Sequence, residues 1–242
     1  MSIAVRVIAF DAFETLLNNQ QTLWFDTMDS ICKTQGLNIK SSKLWDTWIR
    51  HERAFRSHRV NHKNPRLSPH FSSYWKVWRN CFELAFGELG LTGNAADAAD
   101  IAIHDLSQRH AYDDAKQLLG HLSNGPWKLL VLSNADDSFL LPPLRDNGFT
   151  FFHSILSSEG TQVYKPHPAI YERLIDAAEC PPEDIVYVGD TPLEDIHGPK
   201  SHGMHAIFIN RHGRDWEEGL LEPDYEVKSL LEITGLLEHP GN

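Results

Sequence analysis

The sequence predicts an α/β fold, a parallel sheet whose chain is interrupted after its first strand by a long helical insertion. Three observations predict it. Short apolar runs, several rich in β-branched residues, recur at residues 5–10, 128–134, 153–158, 184–190 and 205–211,. Beyond residue 113, segments of helical period separate these runs, which is the alternation that builds a parallel sheet. From about residue 18 to 112 only the helical period is found,.

The elements follow in order. The run VRVIAF, residues 5–10, suits a buried strand,. The opening MSIAVRVIAFDAF stays apolar for only about seven residues and carries no cleavage pattern, so it reads as a strand rather than a signal peptide,. In the insertion, Leu23, Trp24, Met28 and Ile31 share one helix face, as do Trp45, Trp48 and Ile49, and then Tyr74, Trp75, Trp78, Phe82 and Ala85,. These aromatic stripes are read as helix packing. Breaks fall at Gly36, from Asn64-Pro65 to Pro69, and at Thr92-Gly93-Asn94,. After residue 113 a helix containing KQLLGHL ends before Gly125-Pro126, and the strand KLLVLSN follows. A helix with Leu140 and Leu144, the strand HSILSS, a helix over Pro168–Ala178, the strand DIVYVGD, a turn with a short helix and the strand HAIFINR complete the series. The predicted organisation is a core of residues 1–17 and 113–242 with an inserted helical segment, 18–112.

Composition narrows the function. The chain has 242 residues, 41% of them hydrophobic, which is enough for a core with an inserted subdomain,. A net charge of -11 without a strong basic run argues against nucleic acid as a partner,. No stretch reaches the length of a membrane span. Cys32, Cys81 and Cys180 are too few and too scattered for a disulfide framework or a CxxC pair, which points to a reducing cytoplasm,. His51, His58 and His62 lie at offsets of seven and four and read as solvated histidines, with no third and fourth ligand for zinc,. A small-molecule substrate is the expected partner, and the sequence is silent on oligomeric state.

Three predicted strand ends turn polar in the same way: FDAFET, LSNADD and VGDTPLED. Parallel strands would bring Asp11, Ser133-Asn134, Asp190 and Asp195 to one sheet edge, where such folds place their ligands. Clustered carboxylates repel unless a cation compensates them, and Mg2+ prefers oxygen donors. Lys165, in VYKPHP, could approach the same edge and balance part of the charge.

Taken together, FDAFETL, LSN, KP and GDTPLED resemble the four motifs of the haloacid dehalogenase superfamily, in order and at suitable spacing. The segment GDTPLEDIHGPKSHGMHA resembles one subgroup in particular. The resemblance implies a Rossmann-like core with residues 18–112 as a helical cap. It implies a hydrolase with Asp11 as carboxylate nucleophile and Thr15 fixing the loop at the substrate. Ser133 and Asn134 would donate to substrate oxygens, and Lys165 would stabilise the charge. Mg2+ would be held by Asp11, the Phe13 carbonyl and Asp190, with Asp195 as a ligand or behind the ligands.

The sequence departs from the superfamily's phosphatases at Phe13, where they carry an acid–base aspartate. Glu14 is adjacent, but strand alternation would turn it to the other face. Phe13 resembles the dehalogenase branch, as do Ser133, Asn134, Lys165-Pro166 and Tyr171. Asp190 and Asp195 resemble the metal-dependent branch. A Mg2+-dependent phosphatase of small phosphorylated metabolites is favoured, with a metal-independent 2-haloacid dehalogenase and a non-catalytic binding protein kept as alternatives. Arg53, Arg56, Arg59 and Trp75 are candidates to line the pocket.

Overall fold

The computed structural model describes residues 2–240. The first strands are β1 (Ile3–Ala4) and β2 (Val7–Phe10). Every residue of β2 is buried, as expected of a central strand covered on both faces,. Four helices follow: α1 (Gln21–Thr34), α2 (Ser41–His58), α3 (Tyr74–Leu89) and α4 (Ala95–Leu106). Their breaks fall at the expected places, with Gly36 in a left-handed turn and a short 3-10 turn at Pro65–Leu67. Asn94 caps α4 through the Ala96 and Asp97 N–H groups,.

The chain then alternates. Helix α5 (Asp113–Leu122) precedes β3 (Lys128–Ser133), and α6 (Asp137–Asp146) precedes β4 (Ser154–Ser157). The short α7 (Ser158–Thr161) and α8 (Pro168–Ala178) lead to β5 (Ile185–Gly189). A wide π-turn at Pro192–His197 and α9 (Gly198–Ser201) lead to β6 (His205–Ile209), then β7 (Tyr225–Val227) and β8 (Leu237–Glu238). The main sheet runs β4-β3-β2-β5-β6-β7 and all its pairings are parallel. With its surrounding helices this is a Rossmann-like α/β fold. The expected strand at 5–10 is shortened to Val7–Phe10, and Ile3–Ala4 before it pairs with β8 in a separate two-stranded ribbon.

The sheet register sets the site. Phe10 pairs with both Val131 and Val188, so β2, β3 and β5 end level. The strand order reverses direction about β2, and such a switch point opens a crevice at the carboxyl ends of the strands. One apolar cluster runs from Ile8, Phe10 and Val131 through Phe139 into Trp24, Trp48, Trp78 and Phe82 of the helices. The helical segment therefore shares its core with the sheet. The contact is also polar: Asp136 accepts from the Tyr74 and Trp75 N–H groups at 2.8 and 3.0 Å, which caps α3 from the sheet side,. No helix among the described residues is long and apolar enough to cross a membrane.

Candidate active site

Asp11 is the first residue beyond β2 and is 6% exposed. Its N–H bonds the Val188 carbonyl at 2.9 Å, which continues the ladder by one residue and fixes the carboxylate at the sheet edge. Lys165 lies beside it, 1% exposed. Its Nζ donates to Asp11 Oδ1 at 2.8 Å, Asp195 Oδ1 at 2.6 Å, the Tyr187 hydroxyl at 2.9 Å and the Leu132 carbonyl at 3.2 Å. Burial alone would push the ammonium pKa down, but the Asp11 and Asp195 carboxylates outweigh it and hold Lys165 well above its usual range,. It is a cation at neutral pH.

Asp190 is less well compensated. One oxygen each of Asp11, Asp190 and Asp195 lies within 4.8 Å of the others. Lys165 faces Asp11 and Asp195. The nearest cation to Asp190 is Arg214, at 3.4 Å with its side chain 47% exposed. Burial, then the Asp195 and Asp11 charges, push Asp190 well above the ordinary carboxylate range,. Three carboxylates, two of them buried and the third largely so, with one buried ammonium are a set that suits a hard divalent cation,. Asp195 has less to offer such a cation, since Oδ1 accepts from Lys165 and Oδ2 accepts from the Thr191 N–H at 2.9 Å. The close approach of Asp195 needs Gly189: a Cβ there would lie 2.4 Å from the Asp195 Cβ and Cγ.

A cavity of about 320 Å³ opens over these groups. Asp11, Phe13, Ser133, Asn134, Lys165, Asp190 and Asp195 all line it, so the three strand ends and the Lys165 loop converge as the sequence predicts. Two expectations are corrected. Thr15 is fully buried and absent from the lining; its carbonyl accepts from Arg211 at 2.9 Å, so any role is beneath the loop. The Asn134 side chain is already committed: Oδ1 accepts from the Lys165 N–H at 2.8 Å, and Nδ2 donates to the Lys165 carbonyl at 3.1 Å and Glu194 Oε2 at 2.9 Å. It clamps the Lys165 main chain and has no amide proton left for a substrate.

Glu14 also departs from expectation. Its φ is +65°, which breaks the strand alternation and turns the side chain to the cavity. The carboxylate is held by the Asn19 N–H, the Tyr112 hydroxyl and His212. Arg56 lines the cavity, whereas Arg53 and Trp75 do not. Arg59 is buried behind it, bonded to Glu194 and, at 2.5 Å, to the Tyr74 hydroxyl. Tyr171 is buried and donates to the Glu194 carbonyl at 2.5 Å. Sequence reasoning missed Tyr187, Glu194 and Arg211. Glu194 sits inside a recognised motif and was within reach; the others carry no local signal.

A family model for haloacid dehalogenase-like hydrolases matches residues 5–203. The chain belongs to this family. Among its relatives, (S)-2-haloacid dehalogenase 1 of Pseudomonas sp. (strain CBS-3) is 25% identical over 241 residues, covering 96% of each chain. Haloacid dehalogenase-like hydrolase domain-containing protein 3 of Danio rerio is also 25% identical, over 99% of each chain. The magnesium-bound YfnB of Bacillus subtilis superposes with a TM-score of 0.79 over 96% of this chain and 98% of that one. Its identity is 20%, so that likeness is one of fold. All three comparisons thus extend over nearly the full length of this chain.

Proposed function

We propose that this hydrolase is a phosphatase that cleaves a small phosphate monoester through a covalent intermediate on Asp11, with Mg2+ as cofactor. The observation that carries the reading is Asp190: a carboxylate only 13% exposed beside two buried ones, with no buried cation of its own. Asp11, Asp190 and the Phe13 carbonyl would hold the metal, while Asp195 stands behind them and fixes Lys165. When bound, the cation offsets the repulsion between the Asp11 carboxylate and an anionic phosphoryl group.

The residues then have separable tasks. Lys165 holds Asp11 Oδ1 at 2.8 Å, which leaves Oδ2 to attack phosphorus,. The Lys165 ammonium and the Ser133 hydroxyl, both on the cavity wall, neutralise charge on the phosphoryl oxygens and orient them,. Asn134 keeps the Lys165 backbone in place. Attack forms the aspartyl phosphate and releases the leaving oxygen with its electron pair. A water then hydrolyses the mixed anhydride and restores the carboxylate.

A second reading, metal-independent 2-haloacid dehalogenation, is favoured by one feature. Phe13 offers no proton, and a halide leaves without one. The full-length likeness to the Pseudomonas enzyme lends it weight. The deciding experiment is a panel of phosphate esters and 2-haloacids, run with Mg2+ and with chelator. The expected result is Mg2+-dependent phosphate release that Asp11→Asn abolishes, with calorimetric Mg2+ binding severely weakened by Asp190→Asn. Halide release indifferent to chelator refutes the phosphatase reading. No turnover of either class, with Mg2+ still bound, indicates a binding protein.

A further inference from the structure

The cavity has two unlike walls. At the sheet edge stand Asp11, Lys165, Asp190 and Asp195. The lining also includes Phe13, Trp24, Tyr74, Trp78, Leu106 and Phe139. The rings of this second wall brace one another. Phe13 meets Phe139 at 5.7 Å, Phe139 stacks on Trp78 at 5.3 Å, and Trp78 meets Trp24 edge-on at 5.4 Å. A chain of ring contacts thus runs from Phe13, in the nucleophile loop, to Trp24 of helix α1. It is also stiff, because Trp24, Tyr74, Trp78 and Phe139 are each at most 6% exposed and held by core neighbours.

Its hydrogen-bonding capacity is small. The Tyr74 hydroxyl already accepts from Arg59. The Arg56 guanidinium, which also lines the cavity, donates its Nε–H to Glu52 at 2.5 Å. A leaving group with several hydroxyls would exchange water for this wall and find few partners, which costs binding. A flat apolar ring would gain ring-to-ring contact instead. At about 320 Å³ the cavity is at the small end for ligand sites, which suits one ring and one phosphoryl group,.

A separate observation reaches the same substrate. Neither of the two residues that follow in the nucleophile loop with a place on the cavity wall is free to protonate a leaving oxygen: Phe13 has no proton to give, and the Glu14 carboxylate accepts from Asn19, Tyr112 and His212. The leaving group must depart as an anion. A phenol, with a pKa of about 10, does so far more readily than an alcohol.

We infer that the substrate class is an aryl phosphate monoester, its ring seated on the Phe13–Phe139–Trp78–Trp24 wall and its phosphoryl group at Asp11. This rests on the phosphatase reading and deepens it. Asp11 forms the O–P bond, the aryl oxide leaves with the P–O electron pair and takes its proton from water, and a second water frees phosphate and the carboxylate.

The test separates ring recognition from leaving-group reactivity. Binding of phenylphosphonate and methylphosphonate to the Mg2+-loaded wild-type protein is followed by tryptophan fluorescence and calorimetry. Turnover is compared for phenyl phosphate, acetyl phosphate and glycerol phosphate; acetyl phosphate has a good leaving group but no ring. Phenylphosphonate is expected to bind at least about tenfold tighter, and phenyl phosphate to show the highest kcat/KM. Trp24→Leu should shrink the phosphonate difference at an unfolding midpoint measured alongside; if that variant does not fold, the wild-type comparison decides alone. Equal phosphonate binding, or preference for acetyl phosphate, overturns the inference and leaves the phosphatase reading standing. No binding of either phosphonate and no phosphate release from any ester removes both.

Discussion

Glu194 is predicted to be the residue through which the helical segment holds Lys165. Its Oε1 accepts from Arg59, which follows α2, and its Oε2 accepts from Asn134, which clamps both backbone groups of Lys165. Glu194→Gln keeps the shape and removes this double acceptor. The introduced amide must keep its oxygen toward the Arg59 guanidinium, so its NH2 meets the NH2 of Asn134. Asn134 cannot flip, because its own oxygen and nitrogen are both matched to Lys165. Removing one partner of a buried ion pair costs about 3–5 kcal/mol. The Arg59 side chain is 2% exposed and Glu194 is 21% exposed, so the low end, about 3 kcal/mol, is expected,. For a chain of this length that is a drop of roughly 6–12 °C in Tm. Urea unfolding and calorimetry measure it. A double-mutant cycle with Asn134→Ala should give a coupling of at least about 1 kcal/mol, since the two side chains share one network. Displacement of Lys165 should lower kcat more than it changes KM, by about tenfold or more. A loss below about 1 kcal/mol with an additive cycle would refute this account of how Lys165 is positioned.

Two other perturbations test separate parts of the site. Phe13→Asp supplies the missing acid beside Asp11. Alkyl phosphatase activity should rise about tenfold or more while aryl activity changes little, with about 2 kcal/mol of stability lost with the Phe139 contact,; a folded variant without the alkyl gain refutes it. Asp114 anchors Arg211, which bonds the Glu14 and Thr15 carbonyls in the loop that follows Asp11. Burial alone would raise Asp114, but Arg211, the Leu230 N–H and the Ser229 hydroxyl outweigh it and hold the carboxyl below its usual value. A depressed folded pKa means that its stabilisation is complete above about pH 4 and is lost as pH falls through the folded value. Asp114→Asn should therefore destabilise by roughly 3 kcal/mol at pH 7 and converge with wild type in acid; a pH-independent difference contradicts the linkage.

What the sequence made legible was local. Apolar runs that end in Asp or Ser-Asn expose strands β2, β3 and β5 and the groups at their ends, because a parallel sheet is buried on both faces and its polar residues collect at its edge. Lys165 was readable for the same reason, as the charge needed beside three carboxylates. The misses are non-local or conformational. Glu14 reaches the cavity only because its φ is positive, and period-two alternation assumes extended backbone,. Asn134 was expected to face substrate, but its partner is the backbone of a residue 31 positions away. Arg59 and Glu194 are 135 positions apart, and neither shows a pattern that marks it for pairing. Strands β1 and β8 have two residues each, too short for any period to register.

Asp190 decides between the two enzymatic readings because they require opposite charge states of it. With Asp11, Asp190 and Asp195 ionised, Lys165 buried among them and Arg214 half exposed, the cavity floor is net negative. A phosphate monoester carries up to two negative charges and would be repelled from that floor. An ionised Asp190 binding a divalent cation reverses the local sign and admits it. A metal-free attack on a 2-haloacid has no such cation, so Asp190 would have to stay protonated, the direction in which burial and its neighbours already push it. Asp190→Asn therefore separates the two. If the protein is the Mg2+-dependent phosphatase, the substitution removes a metal ligand and should abolish turnover, with the Mg2+-induced rise in Tm lost as well. If it is the dehalogenase, the neutral amide imitates the protonated acid and halide release should persist at or above the wild-type rate. Retained phosphate release in the substituted protein would remove the basis for placing the cation at Asp190, whichever substrate proves to be the natural one.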